Sequence, residues 1–175
     1  MDIFLQLTTN SIIAGSLYAL IAIGFSLVFS VTRFFNLAHG VLAAVGGYAV
    51  FFFGRNLGLP VFVAVMLGIV LATIVGWLLE RFIFAPLRTR KSSTLVLLVA
   101  SLGAFTALQA LIAMLFGSQF QTLDPLIGGS TTFSFAGATI TDIQIVLVGV
   151  AVVAFAGLQF TLVKTSFGQT IRAVA

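Results

Sequence analysis

The chain contains no cysteine and a single histidine among its 175 residues. The absence of cysteine excludes disulfide bonds and thiolate metal sites. Because His39 has no second histidine to complete a ligand set, we expect no bound metal. Charge is also scarce, with Asp, Glu, Lys and Arg making up 7% of the residues against roughly 25% in an average soluble domain. These absences exclude an ordinary soluble protein.

Apolar residues are what the chain has in abundance: they make up 61% of it, and its mean hydropathy is +1.25. A helix needs about 20 mostly apolar residues to cross a bilayer. Five runs approach or meet that length: 11–31, 37–53, 61–79, 95–116 and 143–163. We therefore predict an all-α, polytopic transmembrane helical bundle of about five spans, built as a single membrane domain over residues 1–175.

Positive charge predicts the orientation of these spans, because Lys and Arg are enriched in cytoplasmic loops. Six cations lie between the third and fourth runs or after the fifth: Arg81, Arg88, Arg90, Lys91, Lys164 and Arg172. Residues 117–142 carry none, so we expect that link and the amino terminus to be external, with Arg55 as an exception. This parity requires the short, glycine-rich run 37–53 to cross instead of dipping back. Short cationic clusters also argue against a nucleic-acid partner, which needs a continuous basic face.

Small residues recur every four positions on two spans, which lets helix backbones approach closely in a membrane. On the third span the ladder is Ala64, Gly68, Ala72 and Gly76, and we predict that it packs on another helix. On the first span it runs through Gly15, where chance recurrence is an equal explanation. Such ladders concern helix packing and say nothing of transport.

Polar residues inside apolar runs are the candidates for function, since lipid offers them no hydrogen-bond partners. Asn36 is expected to cap the second span by accepting a hydrogen bond from the N–H of Ala38 or His39. His39 can titrate near neutral pH, although a structural hydrogen bond to a backbone carbonyl is the preferred interpretation. Further polar side chains can line a path or bond within the membrane: Tyr18, Ser26, Ser30, Ser101, Thr106 and Gln109.

Three features of the connecting segments complete the prediction. Pro86 should end or kink the helix that continues from the third span. The alternating stretch 131–141, with Gly137 near its middle, suggests a short hairpin on the outer face, with an irregular loop as the alternative. No catalytic residue is predicted, because the carboxylates near the spans lie at span ends and no second histidine is present to activate a serine.

Several motifs together resemble one protein family. They are Gly15–Leu20 (GSLYAL), Asn36–Gly40 (NLAHG), Gly46–Tyr48 (GGY) and Thr165–Ala173 (TSFGQTIRA). In this order and spacing they resemble the permeases of branched-chain amino acid ABC importers, in particular the member of the permease pair without a long amino-terminal extension. The last motif is similar to the cytoplasmic coupling segment of that family. Family members continue with further spans, so the resemblance implies an amino-terminal portion of a permease.

The resemblance implies partners and sites that composition does not. The partners would be ATP-binding subunits that hydrolyse ATP, a second permease subunit, an external substrate-binding protein and membrane lipid, with no cofactor bound directly. It places the protein in the cytoplasmic (inner) membrane of a prokaryote. The translocation path or signature turn would include Tyr18, Asn36, His39, Gly40 and Gly47. ATPase coupling would fall to Thr165, Gly168, Arg172 and Ala173.

Two alternatives remain beside transport of branched-chain amino acids. A urea or amide permease would use the same machinery, because substrate choice in such importers rests largely with the binding protein. A membrane scaffold that transports nothing would show the same small-residue ladders. A scaffold has no need for the motif at 165–173, so that motif favours a permease.

Overall fold

Apolar helices dominate the computed structural model, which describes residues 2–117, 132–135 and 138–164. A helix bonds its own backbone N–H and C=O groups, as a segment in lipid must. Within the described ranges, four helical segments are long and apolar enough to cross a bilayer. They contain α1 (Asp2–Thr32), α3 (Val61–Leu79), α5 (Thr94–Phe116) and α6 (Asp142–Lys164). The prediction of an all-α, polytopic helical bundle is confirmed.

The second predicted run forms a shorter helix, α2 (Ala38–Phe51), followed by a π-helical turn, Phe52–Asn56. The two segments have 14 and 5 residues. At a rise of 1.5 Å per residue this helical stretch is about 28 Å long, close to the ~30 Å thickness of the hydrocarbon core. The fifth span and the external amino terminus stay predictions.

The helix of the third span does not stop at Pro86. It passes through a second π-helical turn, Glu80–Phe84, into the short helix α4 (Ala85–Thr89). Pro86 lies in the first turn of α4, where a missing N–H costs little, and the wider π-helical turn precedes it. An ion pair between Arg88 and Glu80 connects the two segments. Of the two predicted effects of Pro86, an end of the helix is wrong, because the helix continues through the change of helix type, and a kink stays a prediction.

A β-hairpin precedes α6. Its strands are β1 (Thr132–Phe135) and β2 (Ala138–Thr141), paired antiparallel with Thr132 opposite Thr141 and Phe135 opposite Ala138. The hairpin predicted within 131–141 is confirmed and the irregular loop is excluded. Its position on the outer face stays a prediction.

The side-chain amide of Gln6 holds this hairpin against α1. Gln6 Oε1 accepts a hydrogen bond from the Thr139 backbone N–H at 2.7 Å, and Gln6 Nε2 lies 3.3 Å from the Thr139 carbonyl oxygen. An isolated two-stranded hairpin is only marginally stable. Gln6 therefore supplies a tertiary contact that this hairpin needs.

We expect Gln6→Ala to loosen the hairpin, because the Thr139 N–H loses its acceptor. A hydrogen bond contributes about 1 kcal/mol, so hydrogen exchange at Thr139 should accelerate about fivefold. Thr8→Ala is the matched control, since Thr8 also lies near the start of α1 but its hydroxyl bonds to the Phe4 carbonyl of its own helix, and exchange at Thr139 should be unchanged. Equal exchange rates at Thr139 in the alanine variant and the unmodified protein would contradict the role given to Gln6.

Backbone contacts divide the chain into two compact units. One comprises Met1–Thr32 and Gly129–Ala175, and the other Arg33–Gly128. Among described residues the first contains α1, the hairpin and α6, and the second contains α2 to α5. The prediction of one membrane domain over residues 1–175 stays a prediction.

Within the second unit, α2 and α3 approach closely along the small-residue ladder of α3. A Cβ built at Gly68 would lie 2.7 Å from Val50 Cγ2 and 3.0 Å from the Gly46 carbonyl oxygen. A Cβ at Gly46 would lie 3.6 Å from that of Ala72, and one at Gly76 would lie 3.3 Å from a leucine side chain of α2. The ladder thus lies at the contact between α2 and α3.

Candidate functional site

The segment that leads into α2, residues 33–40, is held by hydrogen bonds from its own side chains and backbone. The Asn36 side-chain oxygen accepts a hydrogen bond from the Ala38 N–H at 3.1 Å, one of the two alternative donors that the sequence predicted. The Asn36 carbonyl accepts another from the His39 N–H at 3.2 Å. These bonds satisfy N–H groups that the first turn of a helix leaves without partners. We refer to this segment as the 33–40 turn.

Phe34 anchors the 33–40 turn in the apolar core of its unit. Its side chain is 1% exposed, and its ring centroid lies 5.3 Å from that of Phe84 in the second π-helical turn. The same buried cluster contains Ala38, Leu97 and Ala104. The turn is therefore packed against both α5 and the π-helical turn that follows α3.

Ser101 on α5 provides a polar link to the same turn. Its side chain is fully buried, and its Oγ accepts a hydrogen bond from the Leu37 N–H at 3.2 Å. The Oγ also lies 3.2 Å from the Phe35 carbonyl oxygen and 2.8 Å from the Leu98 carbonyl oxygen. The sequence left two alternatives for Ser101, a polar path or a hydrogen bond within the membrane, and the structure shows the hydrogen bonds. Its hydroxyl within an apolar helix was the signal, but the partners at Phe35 and Leu37 do not show in the sequence.

Two other residues predicted as candidates for a polar path, Thr106 and Ser30, form hydrogen bonds within their own helices. Thr106 Oγ1 lies 3.1 Å from the Leu102 carbonyl oxygen and 3.0 Å from that of Gly103. Ser30 Oγ likewise donates to the Leu27 carbonyl at 2.8 Å. This is the common behaviour of hydroxyls in membrane helices.

A cleft separates α2 from α5 next to the 33–40 turn, with a volume of about 470 Å³. It is lined by Gly40, Val41, Ala44 and Tyr48 of α2, and by Phe105, Gln109, Ile112, Ala113 and Gly117 at α5. Ser101 joins α5 to the turn at one end. Toward the other end the rings of Tyr48 and Phe116 lie 4.9 Å apart. We refer to this cavity as the α2–α5 cleft.

The structure places the predicted path residues in different surroundings. Asn36, His39 and Gly40 come together in the 33–40 turn, where His39 is partly buried and Gly40 lines the α2–α5 cleft. Gly47 follows on an exposed part of α2. Tyr18 belongs to the other compact unit, where it is 69% exposed and lines a cavity of about 460 Å³ with α1 and α6 residues. Their role in translocation stays a prediction.

The remaining predicted positions can be placed only in part. On α1, a Cβ built at Gly15 would have no described atom within 4 Å apart from the neighbouring backbone of its own helix, and the role of Gly15 in helix packing stays a prediction. The predicted coupling residues Thr165, Gly168, Arg172 and Ala173 lie outside the described residues. Across residues 2–117, 132–135 and 138–164, no group of three or more His, Cys, Asp or Glu is arranged to hold a metal ion.

Comparison with known proteins gives relatives along almost the whole chain. The chain is 32% identical over 186 aligned residues to the high-affinity branched-chain amino acid transport system permease protein LivH of Escherichia coli K12. It is 31% identical to LivH of Salmonella typhimurium and 29% identical to BraD of Pseudomonas aeruginosa. Each match covers 98% of this chain and 59% of the relative, so the chain spans about three fifths of their length. No solved structure matches significantly.

A family profile also matches the chain, over residues of both compact units. The profile described as branched-chain amino acid transport system, permease component, covers residues 7–175. That range includes the 33–40 turn, the α2–α5 cleft and the predicted coupling segment. The chain is thus a multi-pass membrane protein that belongs to the family of branched-chain amino acid transport system permease components.

Proposed function

We propose that the chain acts as a membrane-spanning permease subunit of an ABC importer for branched-chain amino acids, in the cytoplasmic membrane of a prokaryote. The observation that carries this proposal is the family match over residues 7–175. Relatives covering 98% of the chain are named as permeases of branched-chain amino acid transport systems. ATP hydrolysis in partner ATPase subunits would drive alternating access, with a second permease and an external substrate-binding protein completing the transporter.

The α2–α5 cleft supports a path for a small amphiphilic substrate. Its volume of about 470 Å³ lies in the range of small-molecule sites, about 300–1,000 Å³. Its walls are mostly apolar and suit a branched aliphatic side chain, because burial of apolar surface is favourable. Gln109 and Tyr48 add polar groups for the charged end of an amino acid.

The coupling role is assigned to the segment that follows α6. The described part of α6 reaches Lys164, and the motif with Gly168 and Arg172 follows in the sequence. A cationic segment at this position suits the cytoplasmic side of the membrane. We propose that this segment contacts the ATPase subunit and transmits its movement to the spans.

Transport by the assembled system tests the proposal. The full-length gene product would be co-expressed with the second permease and the ATPase subunits, purified, and reconstituted in proteoliposomes with the binding protein. We expect ATP-dependent uptake of radiolabelled leucine that isoleucine and valine compete for. Uptake of urea or a short amide in place of leucine would favour the related permease, and absence of both uptake and ATPase co-purification would favour a scaffold.

A double substitution in the predicted coupling segment distinguishes loss of ATPase docking from loss of membrane assembly. Gly168→Val with Arg172→Glu is expected to abolish co-purification of the ATPase while leaving the amount of permease in the membrane unchanged. Loss of the permease from the membrane instead would contradict a coupling role and support a structural one.

A further inference from the structure

Positive charge is concentrated on the link between α3 and α5, which we refer to as the basic segment, residues 80–91. Four exposed cations lie in it: Arg81, Arg88, Arg90 and Lys91. Glu80 is the only carboxylate between residues 3 and 123, and it forms an ion pair with Arg88. In the part of the chain that the structure describes, the other three cations have no ion-pair partner. The basic segment therefore presents three positive charges that no carboxylate offsets.

The end of α4 fixes the backbone that carries these cations. The Lys91 N–H donates to the Arg88 carbonyl at 2.9 Å, and the Ser92 N–H donates to the Leu87 carbonyl at 3.1 Å. With Lys91 at a φ of 53°, these two bonds form the Schellman motif that ends many helices. Glycine is the usual residue at this left-handed position, because a side chain there is strained. A lysine thus stands where the backbone conformation favours glycine.

Exposed apolar side chains accompany the basic segment at both of its ends. Trp77 precedes Arg81 by about one helical turn and is 61% exposed, and Phe82 is more exposed still. At the other end, Leu95 in the first turn of α5 is also exposed. Tryptophan is enriched at the membrane–water interface, where lipid headgroups meet acyl chains. A lipid offers both contacts that this surface needs, phosphate for the cations and hydrocarbon for the apolar side chains.

We propose that the basic segment binds the headgroup phosphates of anionic phospholipids. Phosphates pair with Arg81, Arg90 and Lys91, since guanidinium groups form paired hydrogen bonds to phosphate oxygens and lysine adds a point charge. The acyl chains contact Phe82 and Leu95. A zwitterionic headgroup carries its own ammonium, which offsets the phosphate charge, so the surface prefers an anionic lipid. A protein partner fits less well, because the apolar side chains at both ends belong in lipid. This lipid contact does not depend on transport.

Native mass spectrometry of the full-length protein in neutral detergent tests the preference. We expect phosphatidylglycerol to bind more tightly than phosphatidylcholine with the same acyl chains. Each cation near an anionic lipid surface strengthens binding about fivefold. Arg81→Gln and Arg90→Gln should therefore each weaken phosphatidylglycerol binding about fivefold, with phosphatidylcholine binding unchanged. Equal binding of the two lipids to the unmodified protein would overturn the proposal.

Two further variants separate loss of charge from loss of folded protein. Lys91→Gly suits the left-handed backbone, so the end of α4 should remain intact while phosphatidylglycerol binding weakens about fivefold. Glu80→Gln releases Arg88 from its ion pair and should strengthen phosphatidylglycerol binding by about the same factor. Damage to the fold cannot produce that increase. Unchanged binding in both variants would overturn the proposal.

Arg55→Gln is the matched control, because it removes an exposed arginine of the same compact unit that lies outside the basic segment, over the Phe51 ring. The 19 residues of α3 separate the two sites by about 28 Å, well beyond the screening length of about 8 Å. Phosphatidylglycerol affinity should thus change less than about twofold.

Three other outcomes would contradict the lipid contact. Equal weakening by Arg55→Gln and Arg90→Gln would show that net charge explains the binding. Displacement of the lipid by an equal concentration of glycerol phosphate would indicate a site for soluble phosphates. Loss of a co-purifying ATPase subunit with lipid binding unchanged would assign the basic segment to protein docking.

Discussion

Replacing Phe34 with alanine is expected to lower the free energy of unfolding by about 3–5 kcal/mol, the usual cost of removing a buried phenylalanine ring. Phe34 is 1% exposed and packs against Phe84. The alanine variant leaves a cavity in the apolar cluster that also contains Leu97 and Ala104. The 33–40 turn would lose its apolar anchor on α5. Denaturant unfolding of the purified protein in mixed micelles measures the loss.

The neighbouring residue provides the control for this prediction. Phe35 is the same residue type but is 52% exposed, so Phe35→Ala should cost less than about 1 kcal/mol. Equal losses for the two variants would show that burial of Phe34 does not stabilise the turn. Because the two positions are adjacent, differences in insertion or expression cannot account for the contrast.

Gly68→Leu should separate α2 from α3, and even Gly68→Ala should destabilise their contact. The alanine Cβ would lie 2.7 Å from Val50 Cγ2 and 3.0 Å from the Gly46 carbonyl oxygen. Valine is stiff in a helix, and the carbonyl belongs to the backbone, so the helices must move apart. We expect a loss of about 1–3 kcal/mol for alanine and a larger loss for leucine. The thermal midpoint of the solubilised protein reports both.

Gly103→Ala is the matched control for the ladder. Gly103 is also a glycine within a helix, but apart from the neighbouring backbone of that helix no described atom lies within 4 Å of a Cβ built there. Alanine favours a helix over glycine by up to about 1 kcal/mol, so this variant should be unchanged or slightly more stable. A similar decrease in both alanine variants would indicate that glycine acts through backbone flexibility and not through the close contact with α2.

Hydropathy and spacing were enough to predict the helices and the hairpin. Long apolar runs in α1, α3, α5 and α6 leave few alternatives, because lipid requires each segment to bond its own backbone. The resemblance in the motifs at residues 36–40 and 165–173 led to the family that the profile shows. These features depend on residues close together in sequence.

Contacts between distant residues could not be predicted in the same way. Phe34 and Phe35 are the same residue type, and the sequence does not distinguish them. Only Phe34 is buried, because residues of α5 and of the second π-helical turn pack against it. Ser101 finds its partners more than 60 residues away, in the 33–40 turn. The π-helical turn before Pro86 was also missed, since proline alone predicts a break and the compensating change of helix type depends on the surrounding packing.

The hydrogen bonds between Gln6 and Thr139 bear on how deep the start of α1 lies in the membrane, because they connect it to the hairpin. A two-stranded hairpin has open edges, and open sheet edges exposed to lipid do not occur in the hydrocarbon region. We therefore expect the hairpin and Gln6, which bonds to it, to lie in the headgroup or water layer, together with the first turns of α1. We expect the apolar run that begins at residue 11 to be the part of α1 that lies in the hydrocarbon region, with the residues before it extending into the headgroup or water layer.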